Sequence, residues 1–380
     1  MFQAAKEFRI GRPQIFAGLM LLGFLAQCLW VADGRKLSDL EYQYIGSGLS
    51  RDTSPEFRAG SPITGWMAAL AVRATRVLKD AGPSSLSAYL AIPRPWLLRL
   101  PFAVFGLWLG GALWWVARRL FDDAGGYVAL GLYCSSPAMV MISSNIGPEI
   151  ILAWSFFGLI YTAIGVAHTL YAPPRKWAPR ILILGLSIGF ALAASLWSIT
   201  LVLLAMAFML YLAPGRRRSV VLVLLGASAV AVLMYGYFYW WSGVVNARTL
   251  SALRPQLTWE LARNLKFVFA DGYVLVGMFL LALTAYGSWL RARYFGNTAP
   301  LVTAFIAVLL VALVPGAQVW AAALGLSFVF VFIGGVTADL LETGFRRGCL
   351  TILAAAFLLR VVLTIRTLNF WIHWAGSNHL

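Results

Sequence analysis

The chain has 380 residues, of which 61% are hydrophobic and 12% are charged, and its formal net charge is +16. Soluble domains carry roughly 25% charged residues, so this composition excludes an ordinary soluble protein and predicts an integral membrane protein. The basic residues are dispersed among short connectors rather than gathered with interleaved aromatic residues, which argues against a nucleic-acid-binding protein. We expect a single polytopic membrane domain over residues 1–380.

Apolar runs close to the roughly 20 residues that cross a bilayer recur along the whole chain. They predict an all-α fold of about eleven transmembrane helices, because a helix satisfies its own backbone hydrogen bonds in lipid. The first run lacks a small-x-small cleavage site and is expected to be retained as an anchor. The predicted spans are residues 14–32, 101–117, 126–143, 149–170, 181–196, 199–213, 219–241, 272–290, 300–314, 318–336 and 349–367.

The charges of the connectors predict how the chain is oriented in the membrane. Counted alternately from the N-terminus, the connectors on one side carry fifteen Lys and Arg residues, whereas the three short loops on the other side carry none. Lys and Arg accumulate in short cytoplasmic loops. We therefore expect a cytoplasmic N-terminus, an external C-terminus, and two long outer loops at residues 33–100 and 242–271.

The first outer loop holds six of the fourteen acidic residues, including Asp39 and Glu41 in the sequence SDLEYQYIGSGL. Carboxylates beside a bilayer are costly unless they are solvated, paired or used, so such a group favours a functional site. The alternative is a solvated loop whose acids balance its nine basic residues. We expect these acids to face outward and to contribute little packing.

A third acid of interest, Glu149, follows the turn Gly147–Pro148 at the start of the fourth span. A helix dipole favours an acid at that position, so helix capping alone would explain it. The functional hypothesis is that Glu149 meets the acids near residue 40 at one outer edge of the membrane.

Two further stretches of the outer loops suggest contact with lipid. The segment Ile63 to Leu78 has one apolar and one basic face and ends at Gly82–Pro83, which predicts an amphipathic helix along the outer interface; a helix that merely covers the bundle is the alternative. In the second outer loop, Arg248 and Arg254 lie among tryptophans. They are candidates for binding a lipid-linked phosphate, since Arg makes bidentate phosphate contacts, or are simply solvated charges beside an aromatic belt.

No metal or nucleotide motif is evident. The three histidines and three cysteines (His168, His373, His379, Cys28, Cys134 and Cys349) have no ligand spacing to one another. Phosphate-binding GxxxxGK[ST], HExxH and convincing GxSxG motifs are all missing. The sequence therefore predicts no metal site directly.

Three segments in this order resemble the GT-C superfamily of membrane glycosyltransferases, in the branch of the protein O-mannosyltransferases and the lipid A aminoarabinose transferases. SDLEYQYIGSGL (38–49) is similar to the family's acidic first-loop motif. Residues 99–140, which begin RLP and contain ARRLF, are similar to its second and third spans. SSNIGPEIILAWSFF (143–157) resembles the turn in which Arg-Pro-Asp opens the fourth span. The resemblance covers roughly residues 15–170.

The resemblance implies transfer of a sugar from a polyprenyl-phosphate lipid to an acceptor outside a membrane, here a bacterial inner membrane. It implies Asp39 or Glu41 as the base and Glu149 as a group that positions the acceptor or a divalent metal ion. Tyr42, Arg248 and Arg254 become substrate-binding candidates. A divalent ion is the only cofactor left open, and the expected partners are the carrier lipid and membrane lipids.

The chain departs from the family pattern in its acidic residues. With Tyr42 aligned on the family's Tyr, Ser38 and Asp39 stand where Asp-Glu is usual, and Glu149 replaces the usual Asp. A non-catalytic GT-C-like membrane subunit with a membrane-protein partner would explain this altered motif. That subunit is one alternative to an enzyme, and a transporter, which would explain only the spans, is the other.

Overall fold

The computed structural model describes residues 11–49, 61–77, 94–171, 177–242, 272–288, 298–312, 318–343 and 346–377. Within these ranges the chain is helical and forms no strand, which confirms the all-α prediction. The helices are α1 (Arg12–Gly34), α2 (Asp39–Leu49), α3 (Pro62–Val77), α4 (Trp96–Cys134), α5 (Pro137–Ser143), α6 (Pro148–Thr169), α7 (Ala178–Ala194), α8 (Ile199–Leu212), α9 (Arg217–Ser242), α10 (Tyr273–Ser288), α11 (Thr298–Ala312), α12 (Gln318–Leu341) and α13 (Arg346–Ser377).

Many of these helices suit a bilayer. Six of the described helices are long and apolar enough to cross a membrane, and α7, α8, α10 and α11 are shorter apolar helices. The chain is therefore an integral membrane protein. The count of eleven spans and the orientation of the N-terminus stay predictions.

Helix α4 contains the predicted second span and the first half of the predicted third span as an antiparallel pair. Its backbone leaves the helical region at Phe121 and at Asp122, which has φ 64° and ψ −171°. The Tyr133 hydroxyl donates a hydrogen bond of 2.6 Å to the Gly106 carbonyl, so residues 27 positions apart lie side by side. The chain thus reverses at Phe121–Asp122, at the end of the bundle that carries the connector arginines.

The predicted continuous span over residues 126–143 is broken at Ser135–Ser136, between α4 and α5. Pro137 causes the break, because it has no N–H to donate and it disfavours a helical conformation at the residue before it. Ser136 has φ −93° and ψ 112°, and its hydroxyl caps α5 by accepting a hydrogen bond from the Met139 N–H.

The last helix covers this break. The Nε atom of Arg360 in α13 donates to the Ser135 Oγ at 2.9 Å, and its Nη2 atom donates to the Leu132 carbonyl at 3.3 Å. The Thr364 hydroxyl donates to the Ser135 carbonyl at 2.7 Å. Irregular backbone within a membrane persists where such partners replace the lost helical bonds.

The core lies where α4, α6 and α12 pack together, and aromatic side chains dominate it. Phe24 of α1 contacts Tyr133 with ring centroids 4.9 Å apart, and Phe157 of α6 contacts Phe328 of α12 at 5.3 Å. By contrast, Leu358 of α13 is 71% exposed. Helix α13 therefore presents most of its surface to lipid.

Helix α3 corresponds to the predicted amphipathic helix, but its buried face differs from the predicted one. Ile63, Ala68 and Val72 are buried against the bundle, whereas Leu70, placed on the apolar face by the sequence, is 47% exposed. The close approach of α2 decides which face is buried, since a Cβ atom on Gly48 would lie 1.9 Å from the α3 backbone. The placement of α3 along the outer interface of the membrane stays a prediction.

Candidate active site

The acidic motif of the first loop forms the start of α2. The Ser38 hydroxyl accepts a hydrogen bond from the Glu41 N–H, and the Glu41 carboxylate accepts one of 2.8 Å from the Ser38 N–H. This reciprocal pair is a capping box, in which two N–H groups without helical partners are satisfied together. It explains why the helix begins at Asp39.

Arg99 of α4 holds this turn against the bundle. Its Nε and Nη2 atoms donate to the two oxygens of Glu41 at 2.8 and 2.7 Å. Its remaining donors bind the carbonyls of Ala32, Arg35 and Lys36 at 2.6 to 2.9 Å. The guanidinium is fully buried, and all five of its N–H donors have acceptors.

The hydrogen-bond acceptors of the Glu41 carboxylate are likewise fully used. Besides the bonds from Arg99 and Ser38, its Oε1 atom accepts a hydrogen bond of 3.0 Å from the Ile146 N–H, and the residue is only 3% exposed. Burial acts to raise the pKa of this carboxyl, but the hydrogen bonds and charge of Arg99 and the backbone donors outweigh it and hold the pKa below its ordinary value. Glu41 is therefore ionised at neutral pH.

The expectation that the first-loop acids contribute little packing is wrong for Glu41. Its side chain joins three separate segments, namely the end of α1 through Arg99, the start of α2, and the turn before α6. Arg35 strengthens the same junction, since its Nη1 atom donates to the Asn145 Oδ1 at 2.9 Å. The structure thus brings the first-loop motif onto the turn of residues 144–147, as the functional hypothesis requires.

Glu149 lies beside this junction. Gly147 is the N-cap of α6, and the Glu149 carboxylate folds back over it so closely that a Cβ atom on Gly147 would lie 2.1 Å from its Oε2. Glu149 and the buried Tyr44 of α2 interact electrostatically, and so do Glu149 and Glu41. Burial, together with the charge of Glu149, raises the pKa of the Tyr44 hydroxyl, which stays protonated as a donor.

Asp39 faces another way. It lies two residues before Glu41 in α2, and residues at that spacing do not share a helix face. Its side chain is exposed, and Tyr42 is partly buried. Of the two candidate bases, Asp39 is therefore the one that an incoming substrate could reach. Arg248 and Arg254 lie outside the described residues.

The described residues do not make a good site for a divalent ion. They contain no group of three or more His, Cys, Asp or Glu side chains placed to hold a metal. Both oxygens of Glu41 are engaged by hydrogen bonds, so of the three predicted acids Asp39 and Glu149 are left to offer carboxylate oxygen.

Arg99 lies in the RLP segment and is not among the site residues predicted from the sequence. The S-x-x-E spacing of Ser38 and Glu41 is a recognisable capping signal. The ion pair itself had no local signal, because its partners are 58 residues apart.

The same architecture occurs in solved structures of two other membrane proteins, both of which are glycosyltransferases of the GT-C class. The chain therefore has the GT-C fold, in agreement with the resemblance over roughly residues 15–170. No family model matches the chain, and no curated protein matches it in sequence.

The first of these structures is ArnT from Cupriavidus metallidurans bound to undecaprenyl phosphate. It has a TM-score of 0.63 and 13% sequence identity, over 94% of this chain and 77% of that chain. The second is the oligosaccharyltransferase of Archaeoglobus fulgidus in complex with zinc and sulfate, with a TM-score of 0.55 and 14% identity, over 92% of this chain and 52% of that one. The chain thus spans about half the length of the oligosaccharyltransferase.

Proposed function

We propose that this chain is a membrane glycosyltransferase that transfers a sugar from a polyprenyl-phosphate carrier to an acceptor at the outer face of the membrane. The observation that supports this most is the junction of the acidic turn of α2 with the turn before α6, made through Glu41 in a chain of GT-C fold. The ArnT structure that binds undecaprenyl phosphate supports the class of carrier.

The reaction is a displacement at the anomeric carbon of the sugar. The acceptor hydroxyl loses its proton to a base as its oxygen bonds to that carbon, and the bond to the carrier phosphate breaks so that polyprenyl phosphate leaves. We assign the base to Asp39, because it is exposed and its carboxylate accepts no hydrogen bond from the part of the chain that the structure describes. Cationic groups stabilise the leaving phosphate, and Arg248 and Arg254 are the candidates for that role.

The other site residues would position rather than react. Glu41 has no lone pair left to take a proton, since its two oxygens accept five hydrogen bonds. It instead sets the place of Asp39 relative to the turn that carries Glu149. Glu149 and Tyr42 would orient the acceptor and the sugar.

The alternative is a non-catalytic subunit of a larger membrane complex. The observation in its favour is that Arg99 neutralises Glu41, so that the junction needs no substrate to be stable. A subunit of this kind would co-purify with a fixed membrane-protein partner, and it would tolerate loss of the Asp39 carboxylate.

The two functions separate in a transfer assay with purified protein in lipid vesicles and a labelled polyprenyl-phosphate sugar. We expect Asp39→Asn to lower the transfer rate by about two to four orders of magnitude, the usual effect of losing a general base. The melting temperature should not change, because Asp39 is exposed.

Asp33→Asn is the matched control, since Asp33 is an exposed acid of the same loop. It should keep the transfer rate of the parent. Full transfer by Asp39→Asn would remove Asp39 as the base. A failure of the parent to transfer from any polyprenyl-phosphate sugar, together with a stoichiometric membrane partner, would establish the subunit.

A further inference from the structure

A second site of possible ligand contact lies far from the acidic junction, between α10, α12 and α13. A cavity of about 400 Å³ opens there, lined by residues that include Met278, Ala282, Ile333, Ile352 and Ala356. Its size falls within the usual range of ligand sites, about 300–1,000 Å³. Leu281 and Ile352 of its wall are 59% and 60% exposed, so the cavity opens sideways toward lipid.

The interior of this cavity suits a hydrocarbon chain. Most of its wall is aliphatic, and its two threonine hydroxyls are turned to their own helices. Thr337 donates to the Ile333 carbonyl at 2.7 Å, and Thr284 donates to the Leu281 carbonyl at 2.9 Å. Ser288 and Cys349 are the other polar side chains of its wall, so the cavity offers few polar groups to a ligand.

One end of the cavity meets a pair of arginines. Gly348 and Cys349 line that end, and Arg346 and Arg347 come directly before them at the start of α13. Both arginines are exposed. Among the described residues, the acids nearest in the chain are the exposed Glu342 and the buried Asp339, so the exposed charge at this end is positive. The opposite end, at Ala356, is apolar.

We propose that this cavity binds one acyl chain of an anionic glycerophospholipid whose phosphate lies against Arg346 and Arg347. The chain would run from Gly348 toward Ala356, about 12 Å along α13 at 1.5 Å per residue. By the predicted orientation, this lipid belongs to the cytoplasmic leaflet, opposite to the acidic junction.

The charge at the mouth is what selects this occupant. Lipid tails are as apolar as leucine side chains, so an apolar cavity facing the bilayer takes any hydrocarbon chain and discriminates little. Two arginines beside a phosphate add charge-assisted hydrogen bonds and favour anionic over zwitterionic headgroups. A bound lipid would also add contacts to α13, a helix that is otherwise largely exposed to the bilayer.

The test is native mass spectrometry of the delipidated protein with equal amounts of phosphatidylglycerol and phosphatidylcholine. We expect the parent to bind phosphatidylglycerol about 10- to 30-fold more tightly, the preference that two basic residues supply. Arg346→Gln with Arg347→Gln should remove this preference, and Ala356→Trp, which fills the cavity, should weaken the binding of both lipids.

Two variants of the same helix serve as controls. Arg366→Gln removes an exposed arginine elsewhere in α13, and Leu358→Trp places a tryptophan at a lipid-facing position outside the cavity. Both should bind as the parent does. Equal affinities for the two lipids in the parent would overturn the proposal. The proposal would also fail if polyprenyl phosphate displaced phosphatidylglycerol from the cavity. In that case its binding would be lost in Ala356→Trp and would not change when the two arginines were replaced. Neither result depends on transfer activity.

Discussion

Two fully buried arginines, Arg99 and Arg360, differ in their position and in the groups that they bind. Arg99 lies at the edge of the bundle and binds a carboxylate and three carbonyls around one loop. Arg360 lies 14 residues into α13, about 21 Å from its start. Among the described residues it donates to the Ser135 hydroxyl and the Leu132 carbonyl, which are neutral groups at a helix break.

The difference shows how the site depends on each residue. Arg99 acts directly on the acidic turn, because removing it would leave the Glu41 carboxylate buried without its counter-charge. Arg360 acts at a distance, since it holds the break between α4 and α5, and α5 leads into the turn before α6. Loss of Arg99 should therefore cost more stability than loss of Arg360, although both are equally buried.

The largest effect on stability is expected for Arg99→Met. Breaking one side of a buried ion pair typically costs about 3–5 kcal/mol, because the remaining charge has no compensation. The free energy of unfolding in detergent is the measurement. Arg118→Gln is the control, since it breaks the exposed pair of Arg118 with Asp123, which is worth about 0–1 kcal/mol.

The double variant Arg99→Met with Glu41→Leu sharpens this result. Replacing both partners of a buried pair by apolar residues is often nearly neutral, so we expect the double variant to be much more stable than Arg99→Met alone. A double variant as unstable as the single one would show that the three carbonyl contacts of Arg99, rather than its ion pair, stabilise the loop.

A smaller effect is expected for Arg360→Met. It removes the hydrogen bonds to Ser135 and Leu132, and the Ser135 hydroxyl keeps its own bond to the Gly131 carbonyl, so we expect a loss of roughly 1–3 kcal/mol. The same unfolding measurement applies, with the exposed Arg366→Met as the matched control. A loss equal to that of Arg99→Met would contradict the distinction between the two arginines.

The smallest effect is a dependence of stability on pH. The pKa of Glu41 is about 4.5 in its ordinary state and lower in the folded protein, so its contribution is complete above pH 4.5 and is lost as the pH falls through the folded pKa. We expect the melting temperature of the parent to decrease as the pH is lowered from 4.5 through the folded pKa of Glu41. The Arg99→Met, Glu41→Leu double variant should lack that component, whereas Asp39→Asn should retain it.

Much of the fold could be predicted from the sequence, because a bilayer-length apolar run satisfies its backbone hydrogen bonds in lipid by forming a helix. The predicted spans 14–32 and 149–170 differ from α1 and α6 by two residues or fewer at each end. The break at Ser135–Ser136 went unpredicted although Pro137 marks it locally. Hydrophobicity averaged over a span hides such a residue, since the flanking segments stay apolar.

For the candidate site, the sequence by itself determined that two segments carry the carboxylates, the first-loop motif and the start of the fourth span. It also determined that both segments lie next to the ends of apolar runs. Only the tertiary structure decided which carboxylate is engaged. Asp39 and Glu41 are chemically alike and two residues apart, but a helix turns them to different faces. One meets Arg99 from 58 positions away and the other remains exposed. No local pattern encodes that contact, because it exists only once α1, α2, α4 and the turn before α6 have packed together.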